Sequence, residues 1–397
     1  MSLIAKYSIL LLLLSSLSAV AQNKSLTTIP FEQHSGWTFI KVFLNGKDTL
    51  NFVFDTGAGA ETIDVKVADS LHLASSGRTQ LGGATGDVTA EVYDNNTLEI
   101  GAVKLGGITL MGTPMAMSLK VGIPVHGIIG MALLKKFVVS MNEDEKLFSL
   151  LDPRGYQPSS GTVAVPIKRF TNSGFAVIEM SCILKNDEKI TTDFLVDCGA
   201  ANAIGFSSRF DTQNNIQKKI GQTVNVYSMG ISQDKMSNVR GRVKEVLLGS
   251  YSLKEVTVGV SKGGGFLGRP GSPNGLVGNS LLNHFNITYD YVNRVIYFSP
   301  AKNFSDTFPG NCTGLNIAYA DMDTKRIIVK GVLDNSPASQ TGMQERDEIM
   351  NINGKNTKSI GIEETEKMLL QCNGKIRLKI KRGNIISDVT LEPWQLY

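Results

Sequence analysis

Two aspartates, each at the end of an apolar run, carry the clearest chemical signal in the sequence. Asp55 lies in the segment FVFDTGA (52–58) and Asp197 in FLVDCGA (194–200), an offset of 142 residues. A glycine two positions after each aspartate lets the backbone turn tightly and brings main-chain amides close to the carboxylate. Two carboxylates at contact distance cannot both ionise, so they share one proton. One can then take a proton from a bound water while the other donates to a carbonyl oxygen.

An internal repeat surrounds these two segments and must position them. HGIIGMALLKKF (126–137) pairs with NGLVGNSLLNHF (274–285), and LEIGAVKLGGITL (98–110) pairs with VLLGSYSLKEVTV (246–258), both at an offset of 148. In both copies short apolar or alternating runs are broken by Gly and Asn, which predicts strands and tight turns.

The repeat also sets the expected domain boundaries. Copy one spans about 28–151, and a Pro/Gly/Ser-rich link leads to copy two at 163–299. A second link leads to a C-terminal module of different character at 312–397. Short helices are predicted just after each aspartate motif, at Val65–His72 and Ser207–Lys218.

Composition excludes several classes of protein. The chain has 397 residues, of which 42% are hydrophobic and 19% charged, so it is not a disordered chain. A net charge of +4 without a dense Lys/Arg cluster argues against nucleic-acid binding.

The first 21 residues predict a secretory signal peptide. Lys6 precedes an apolar run from Ile9 to Leu14, and the small-x-small pair Ala19/Ala21 follows. The alternative is a retained N-terminal anchor, although the run is too short to span a bilayer stably. We therefore expect an exported protein, periplasmic or secreted, with no stable membrane span.

No metal or other cofactor is expected. The four cysteines (Cys182, Cys198, Cys312 and Cys372) show no CxxC spacing, and the four histidines are scattered along the chain.

The paired motifs, each trailed by an apolar-apolar-Gly segment (Ile128-Ile129-Gly130 and Leu276-Val277-Gly278), resemble the two lobes of an aspartic protease. The retropepsin-like bacterial type is the most similar, and the resemblance covers roughly residues 30–299. It implies a mainly β, bilobal β-barrel fold in which the apolar-apolar-Gly segment packs beneath the aspartate loop in a ψ-shaped crossing of strands. It further implies that Asp55 and Asp197 are the catalytic pair. Because both lobes lie in one chain, a monomer is expected.

The resemblance also assigns the loops that support the pair. In the family the residue after each aspartate is Thr or Ser, whose hydroxyl bonds to the main chain of the opposite lobe; Thr56 fits, whereas Cys198 does not, so a lopsided grip is expected. Pepsin-like enzymes often place a hydroxyl after the glycine, where this chain has alanine, so the pair should titrate higher and the pH optimum lie nearer neutral. The support residues implied are Thr56, Gly57, Ala58, Cys198, Gly199 and Ala200.

Two glycine-containing segments match the place of the flaps that cover the cleft in the family. The first is Gln80–Val88, with Gly82 and Gly83, and the second is Val226–Asp234, around Gly230. Two flaps suggest a symmetric layout in which substrate lies extended and hydrogen-bonds to the flaps as an added strand. For the second segment, an ordinary exposed hairpin is the open alternative.

The C-terminal module resembles a PDZ domain over almost its whole length. The elements that carry the resemblance are Ser336-Pro337-Ala338, Gly342-Met343, Asp347-Glu348-Ile349 and Ile352-Asn353-Gly354, with a helix at 362–372. The resemblance implies that Gly314, Leu315, Asn316 and Ile317 form a loop whose amides cradle a peptide C-terminus.

The chain departs from the PDZ pattern at two positions, and the resemblance implies one disulfide. Asn316 replaces a glycine, which is tolerable because Asn accepts left-handed angles, and Arg346 replaces the glycine before Asp347, which should strain that turn. Because the groove helix lies beside the loop in PDZ folds, a Cys312–Cys372 disulfide is predicted, while Cys182 and Cys198 should be unpaired.

These features predict an exported aspartic endopeptidase whose PDZ domain binds polypeptide segments or C-termini. A trypsin-like protease with a PDZ tail is excluded, because Gly278-Asn279-Ser280 is followed by Leu281 and its counterpart in copy one has no serine. Two alternatives stay open. The protease fold could be catalytically degenerate and serve only as a peptide-binding scaffold, and the PDZ domain could be a structural cap.

Overall fold

The computed structural model describes residues 23–230, 235–263, 265–370 and 373–394. The predicted signal peptide lies outside this range. Strands dominate throughout, as the sequence predicts, so the chain is mainly β.

The first repeat consists of strands and three short helices. Its elements are β1 (Ser25–Pro30), β2 (Glu32–His34), β3 (Trp37–Leu44), β4 (Asp48–Phe54), β5 (Thr62–Asp64), α1 (Val65–Ser70), β6 (Gly77–Gly82), β7 (Asp87–Ile100), β8 (Val103–Thr113), α2 (Ser118–Val121), β9 (Gly127–Ile129), α3 (Met131–Leu134), β10 (Val138–Asn142) and β11 (Leu147–Leu151).

The second repeat follows the same plan. Its elements are β12 (Val163–Pro166), β13 (Arg169–Phe170), β14 (Ala176–Ile183), β15 (Lys189–Asp197), β16 (Ile204–Phe206), α4 (Ser208–Asn214), β17 (Val224–Met229), β18 (Lys235–Leu248), β19 (Tyr251–Ser261), β20 (Gly275–Gly278), α5 (Asn279–Leu282), β21 (Phe285–Asp290) and β22 (Val295–Pro300), with 3₁₀ turns at Ile216–Lys219 and Phe266–Gly268.

The two predicted helices are shorter than expected. The first ends at Ser70 as α1. The second is divided at Asn215, which adopts a left-handed conformation (φ 53°) and so separates α4 from the 3₁₀ turn.

Each repeat builds an eight-stranded sheet, and the two sheets have the same strand order. The order is β2-β3-β4-β9-β5-β8-β7-β6 in the first and β13-β14-β15-β20-β16-β19-β18-β17 in the second. A further pairing, β3 with β7 and β14 with β18, curls each sheet back on itself. The repeat found in the sequence is thus a repeat of topology.

A third sheet is shared between the repeats. Its order is β1-β11-β10-β21-β22-β12, so the strands of one repeat continue directly into those of the other through the β10–β21 pair. There Ser140 lies opposite Thr288, their side-chain oxygens 2.9 Å apart. These residues are equated by the 148-residue offset, so a pseudo-two-fold axis passes between them.

One apolar core runs through both repeats. Phe54 and Phe148 of the first repeat and Tyr289 of the second are all fully buried, and the Phe54 ring stacks edge-on against Phe148 at 5.1 Å. Because this core crosses the shared sheet, the aspartate-bearing strands β4 and β15 are anchored in common packing.

The C-terminal module has its own sheet and its own core. The sheet order is β23-β24-β25-β27-β28, with β26 paired to β25. Its elements are β23 (Leu315–Tyr319), β24 (Ile327–Val332), α6 (Pro337–Gln340), β25 (Glu348–Ile352), β26 (Lys355–Asn356), α7 (Thr357–Leu369), β27 (Ile376–Arg382) and β28 (Ile385–Leu391).

Candidate active site

The two aspartate loops leave the core at equivalent points. Asp55 directly follows β4, and its backbone N–H donates to Ile129 O on the parallel neighbour β9 (2.9 Å). Asp197 ends β15, which pairs in parallel with β20. The apolar-apolar-Gly strands therefore lie beside the aspartate strands, in the crossing that the resemblance implied.

The structure brings the two carboxyl groups together. Gly57 N donates to Asp55 Oδ1 (2.7 Å), and Gly199 N donates to Asp197 Oδ1 (3.0 Å). A Cβ atom added at Gly57 would lie 2.5 Å from Asp197 Oδ1, and one at Gly199 would collide with the Asp55 carboxyl. Each loop therefore approaches the opposite carboxyl so closely that only glycine fits.

Burial governs the ionisation of this pair. Desolvation raises the pKa of Asp55, although amide hydrogen bonds, Gly57 N–H foremost, oppose the rise. Desolvation also raises the pKa of Asp197, and the nearby Asp55 carboxylate raises it further. The two carboxyl groups are hydrogen-bonded to each other, so they titrate as a pair that can share one proton.

Behind the carboxyl groups, Thr56 and Cys198 form a reciprocal network. Thr56 Oγ1 donates to Val196 O (2.9 Å) and accepts from Cys198 N (3.0 Å). Cys198 Sγ donates to Phe54 O (3.3 Å) and accepts from Thr56 N (3.2 Å).

The expectation of a lopsided grip is therefore wrong in its connectivity. The thiol of Cys198 makes the same two contacts as the hydroxyl of Thr56, because the pseudo-two-fold axis places both side chains equally. The thiol contacts are longer and weaker per bond. Burial keeps Cys198 protonated, since desolvation raises its pKa far above the ordinary thiol value.

Ala58 and Ala200 complete the two loops. Their amides donate to the main-chain carbonyls of the respective aspartates, Ala58 N to Asp55 O (3.4 Å) and Ala200 N to Asp197 O (3.2 Å). Neither side chain carries a hydroxyl, as the sequence already shows. Cys182 and Cys198 are free thiols, as predicted.

In the C-terminal module, β23 is an edge strand of its sheet and α7 packs beside it. Gly314 (φ 81°) precedes β23, Leu315 and Ile317 point into the core, and Asn316 is exposed. Asn316 is not left-handed, and the β23–β24 register is irregular between Asn316 and Ile317. α7 begins at Thr357 and kinks at Gly361. The helix start predicted at residue 362 is therefore the point at which the helix resumes after the kink.

Two further predictions concern this module. Arg346 adopts a left-handed conformation (φ 73°), so the strain expected there is confirmed. Cys312 is disulfide-bonded, and its Sγ lies 3.7 Å from Leu369 O near the end of α7. Cys372, the predicted partner, lies outside the described residues.

Comparison with known proteins agrees with the description of the first repeat and with that of the C-terminal module. Residues 40–133 match the family model for aspartyl proteases. Residues 306–381 match the family model for PDZ domains. The chain thus carries a segment similar to aspartyl proteases and a C-terminal segment similar to PDZ domains. Asp55 lies inside the first matched range and Asp197 lies outside it.

One curated relative is a protease. The chain is 28% identical over 86 residues to the carboxy-terminal processing protease CtpA of Bacillus subtilis, which covers 21% of this chain and 18% of that protein. Within the described residues, no helix is both long and apolar enough to cross a membrane. In the same part of the chain, His, Cys, Asp and Glu side chains do not gather in threes that could hold a metal ion.

The hairpins β6–β7 and β17–β18 meet at their tips. Gly82 ends β6, and Gly83 N donates to Gly86 O across the first turn (2.9 Å). Thr85 Oγ1 at this tip accepts from Gly230 N at the tip of the second hairpin (3.0 Å). Residues 231–234 of the second tip lie outside the described residues. Hairpins from the two repeats therefore contact each other.

A second contact ties the first hairpin to the 265–269 segment. Phe266 N donates to Ala84 O (3.1 Å), and Arg269 forms an ion pair with Asp87 (2.6 Å). These contacts join the two repeats on the hairpin side, in addition to the shared sheet.

The Arg269–Asp87 ion pair is expected to hold the hairpin tip only weakly. Its side chains are 47% and 55% exposed, so water and salt screen the attraction and the pair contributes about 0–1 kcal/mol. Asp87→Asn should lower the free energy of unfolding by no more than about 1 kcal/mol and remove part of its salt dependence. Asp187→Asn, a surface change in the second repeat, is the control. A loss above about 2 kcal/mol in denaturant unfolding would show that Asp87 does more than clamp the tip.

The first repeat also contacts the C-terminal module through α2. Lys120 forms an ion pair with Glu366 on α7, and Leu119 packs against the core of that module. The turn between β2 and β3 adds Ser35 Oγ, which donates to Glu366 Oε2 (3.4 Å). Both contacts fall on the helix that borders β23, so a docked cap and a peptide-binding module are both compatible with them.

Sequence reasoning missed Trp37, whose indole Nε1 donates to Gly199 O (2.6 Å). It stands 162 residues from its acceptor, and nothing in its local sequence signals that contact.

Proposed function

We propose that this protein is an aspartic-type endopeptidase that uses Asp55 and Asp197 as its catalytic pair. The observation that carries the proposal is the close approach of two partly buried carboxyl groups, each loop pressing its glycine against the opposite aspartate. The match of residues 40–133 to the aspartyl protease family supports it, and the PDZ match supports peptide binding by the C-terminal module.

The pair would act on a water held between the two carboxyl groups. The ionised member takes one proton from the water while the water oxygen bonds to the peptide carbonyl carbon. The protonated member gives its proton to the carbonyl oxygen, which produces a tetrahedral gem-diol. The C–N bond then breaks as the nitrogen takes a proton from one carboxyl group and a diol hydroxyl returns its proton to the other.

The joined hairpins would act as flaps over an extended substrate. Their tips must separate for a chain to enter, which requires breaking the Gly230–Thr85 hydrogen bond. The PDZ domain would bind a peptide segment or C-terminus along the free edge of β23. Peptide binding is the function that this domain implies.

We also propose that the chain is exported. The apolar N-terminal segment supports this, as does the disulfide at Cys312, since such bonds persist in oxidising compartments. Recovery of the chain from the cytoplasm with residues 1–21 still attached would contradict export.

The activity should peak nearer neutral pH than that of pepsin. The reaction needs one proton on the pair: activity falls on the acid side when both carboxyl groups are protonated and on the alkaline side when both are ionised. Burial raises the pKa of both Asp55 and Asp197, so both limbs shift to higher pH. A kcat/KM profile on a peptide without titrating side chains, from pH 2 to 9, measures this. A maximum below about pH 3, near pepsin's lower pKa, would contradict it.

A further inference from the structure

We propose that Trp37 is a positioning residue for the Asp197 half of the catalytic pair. The inference rests on the proposed function, because it assigns a role within that reaction. Trp37 begins β3 in the first repeat, whereas Asp197 ends β15 in the second. The residue therefore acts across the boundary between the repeats.

The indole holds the glycine whose amide binds Asp197. Nε1 of Trp37 donates to Gly199 O at 2.6 Å, and the N–H of the same glycine donates to Asp197 Oδ1 at 3.0 Å. The next amide, Ala200 N–H, donates to the main-chain carbonyl of Asp197 (3.2 Å). Because Gly199 both receives the indole hydrogen bond and donates to the carboxyl, the indole fixes one of the bonds that hold Asp197.

The turn that presents Trp37 is itself held by α5. Asn279 and Asn283 both donate through Nδ2 to Gly36 O, at 2.5 and 2.9 Å. The backbone N–H of Asn279 also donates to Ala200 O (2.7 Å). The carbonyls of Gly199 and Ala200 are thus both held, one by Trp37 and the other by the helix that braces Trp37.

The corresponding turn in the second repeat lacks this device. It places Phe175 against the first aspartate loop, where a Cβ added at Gly59 would lie 3.4 Å from the phenyl ring. A phenyl ring packs but donates no N–H hydrogen bond. The hydrogen bonds between Thr56 and Cys198 are the same in both directions. By contrast, an indole contacts the loop of Asp197, whereas a phenyl ring contacts the loop of Asp55. Trp37 therefore makes the two halves of the pair chemically distinct.

Trp37→Phe tests this role, because phenylalanine keeps an aromatic ring in the cluster with Phe39 and Val53 while removing the donor. With one bond to the Asp197 loop lost, kcat should fall about tenfold and KM should change less than about threefold. The acid limb of the pH profile should move to higher pH, because the ionised form loses support.

Trp394→Phe is the matched control. It changes the second of the chain's two tryptophans, which packs against Val224, Val226 and Leu333. The control should keep the wild-type kcat and pH profile. Thermal unfolding of all three proteins measures how much of any change reflects stability alone.

The outcomes separate this inference from the proposed function. Lack of cleavage by wild type and control at every pH would remove the proposed function itself. With wild type active, an unchanged kcat and pH profile in Trp37→Phe would overturn the positioning role. A lowered melting temperature with wild-type kcat and pH limbs would also overturn it, because it would show a structural role only.

Discussion

Asp197→Asn is expected to abolish peptide-bond cleavage while the chain stays folded. Asparagine has nearly the same shape as aspartate and can keep the hydrogen bond from Gly199 N. It can neither accept the water's proton nor hold a transferable one, so the pair loses its shared proton. General acid–base catalysis contributes about 10²–10⁴-fold, and both functions depend on the pair, so kcat should fall at least about 10³-fold.

The Asp197→Asn substitution should also raise the free energy of unfolding relative to the wild-type protein, and this difference should grow as the pH rises. The pKa of Asp197 is higher in the folded than in the unfolded chain, because burial and the Asp55 carboxylate both oppose its ionisation. The stability this carboxyl contributes is therefore fully present below its unfolded pKa and is lost as the pH rises through its folded pKa. Asparagine does not titrate, so the variant's relative stability should grow over that interval.

Two measurements on the Asp197→Asn variant test the proposed catalytic pair. Peptide cleavage reports the chemistry, and melting temperature from about pH 4 to 9 reports the burial of the charge. Asp388→Asn, an exposed change on β28, should leave both unchanged. Retained cleavage in Asp197→Asn would exclude the proposed pair. Inactivity of the wild-type protein at every pH would favour the peptide-binding scaffold.

Among these variants, Thr56→Val is expected to lower the free energy of unfolding the most. Thr56 is fully buried, and its hydroxyl makes two hydrogen bonds across the boundary between the repeats, to Val196 O and from Cys198 N. Valine fills nearly the same volume but leaves both main-chain groups buried without these bonds. Each unsatisfied group costs about 1–3 kcal/mol, so the free energy of unfolding should fall by about 2–6 kcal/mol.

Denaturant unfolding with an exposed control measures this effect. Thr390→Val on β28 makes the same chemical change at the surface and should alter stability by less than about 0.5 kcal/mol. Cys198→Thr should keep the fold and activity, because a hydroxyl can replace the thiol in both of its contacts. A loss below about 1 kcal/mol in Thr56→Val would show that the network does not hold the repeats together.

Several features of the site could be read from sequence because they are local or repeated. Each aspartate motif carries its own strand, turn and glycine, and finding the motif twice at matching distances indicated a two-fold arrangement. The strain at Arg346 was predictable for the same reason, since a turn needing a left-handed residue is specified within a few positions. The free state of Cys182 and Cys198 also followed from the pattern of the chain.

Other features were decided only when distant segments met. The thiol of Cys198 takes the place of a hydroxyl because the pseudo-two-fold axis brings its Sγ within hydrogen-bonding reach of Phe54 O. The residue type alone does not determine such a distance. Trp37 reaches Gly199 because the turn before β3 docks on α5, and Thr85 meets Gly230 because the two hairpins project toward each other. Local sequence fixes which backbone shapes and chemical groups are available. Contacts between side chains more than a hundred residues apart depend on how whole sheets pack, so the tertiary structure alone decided them.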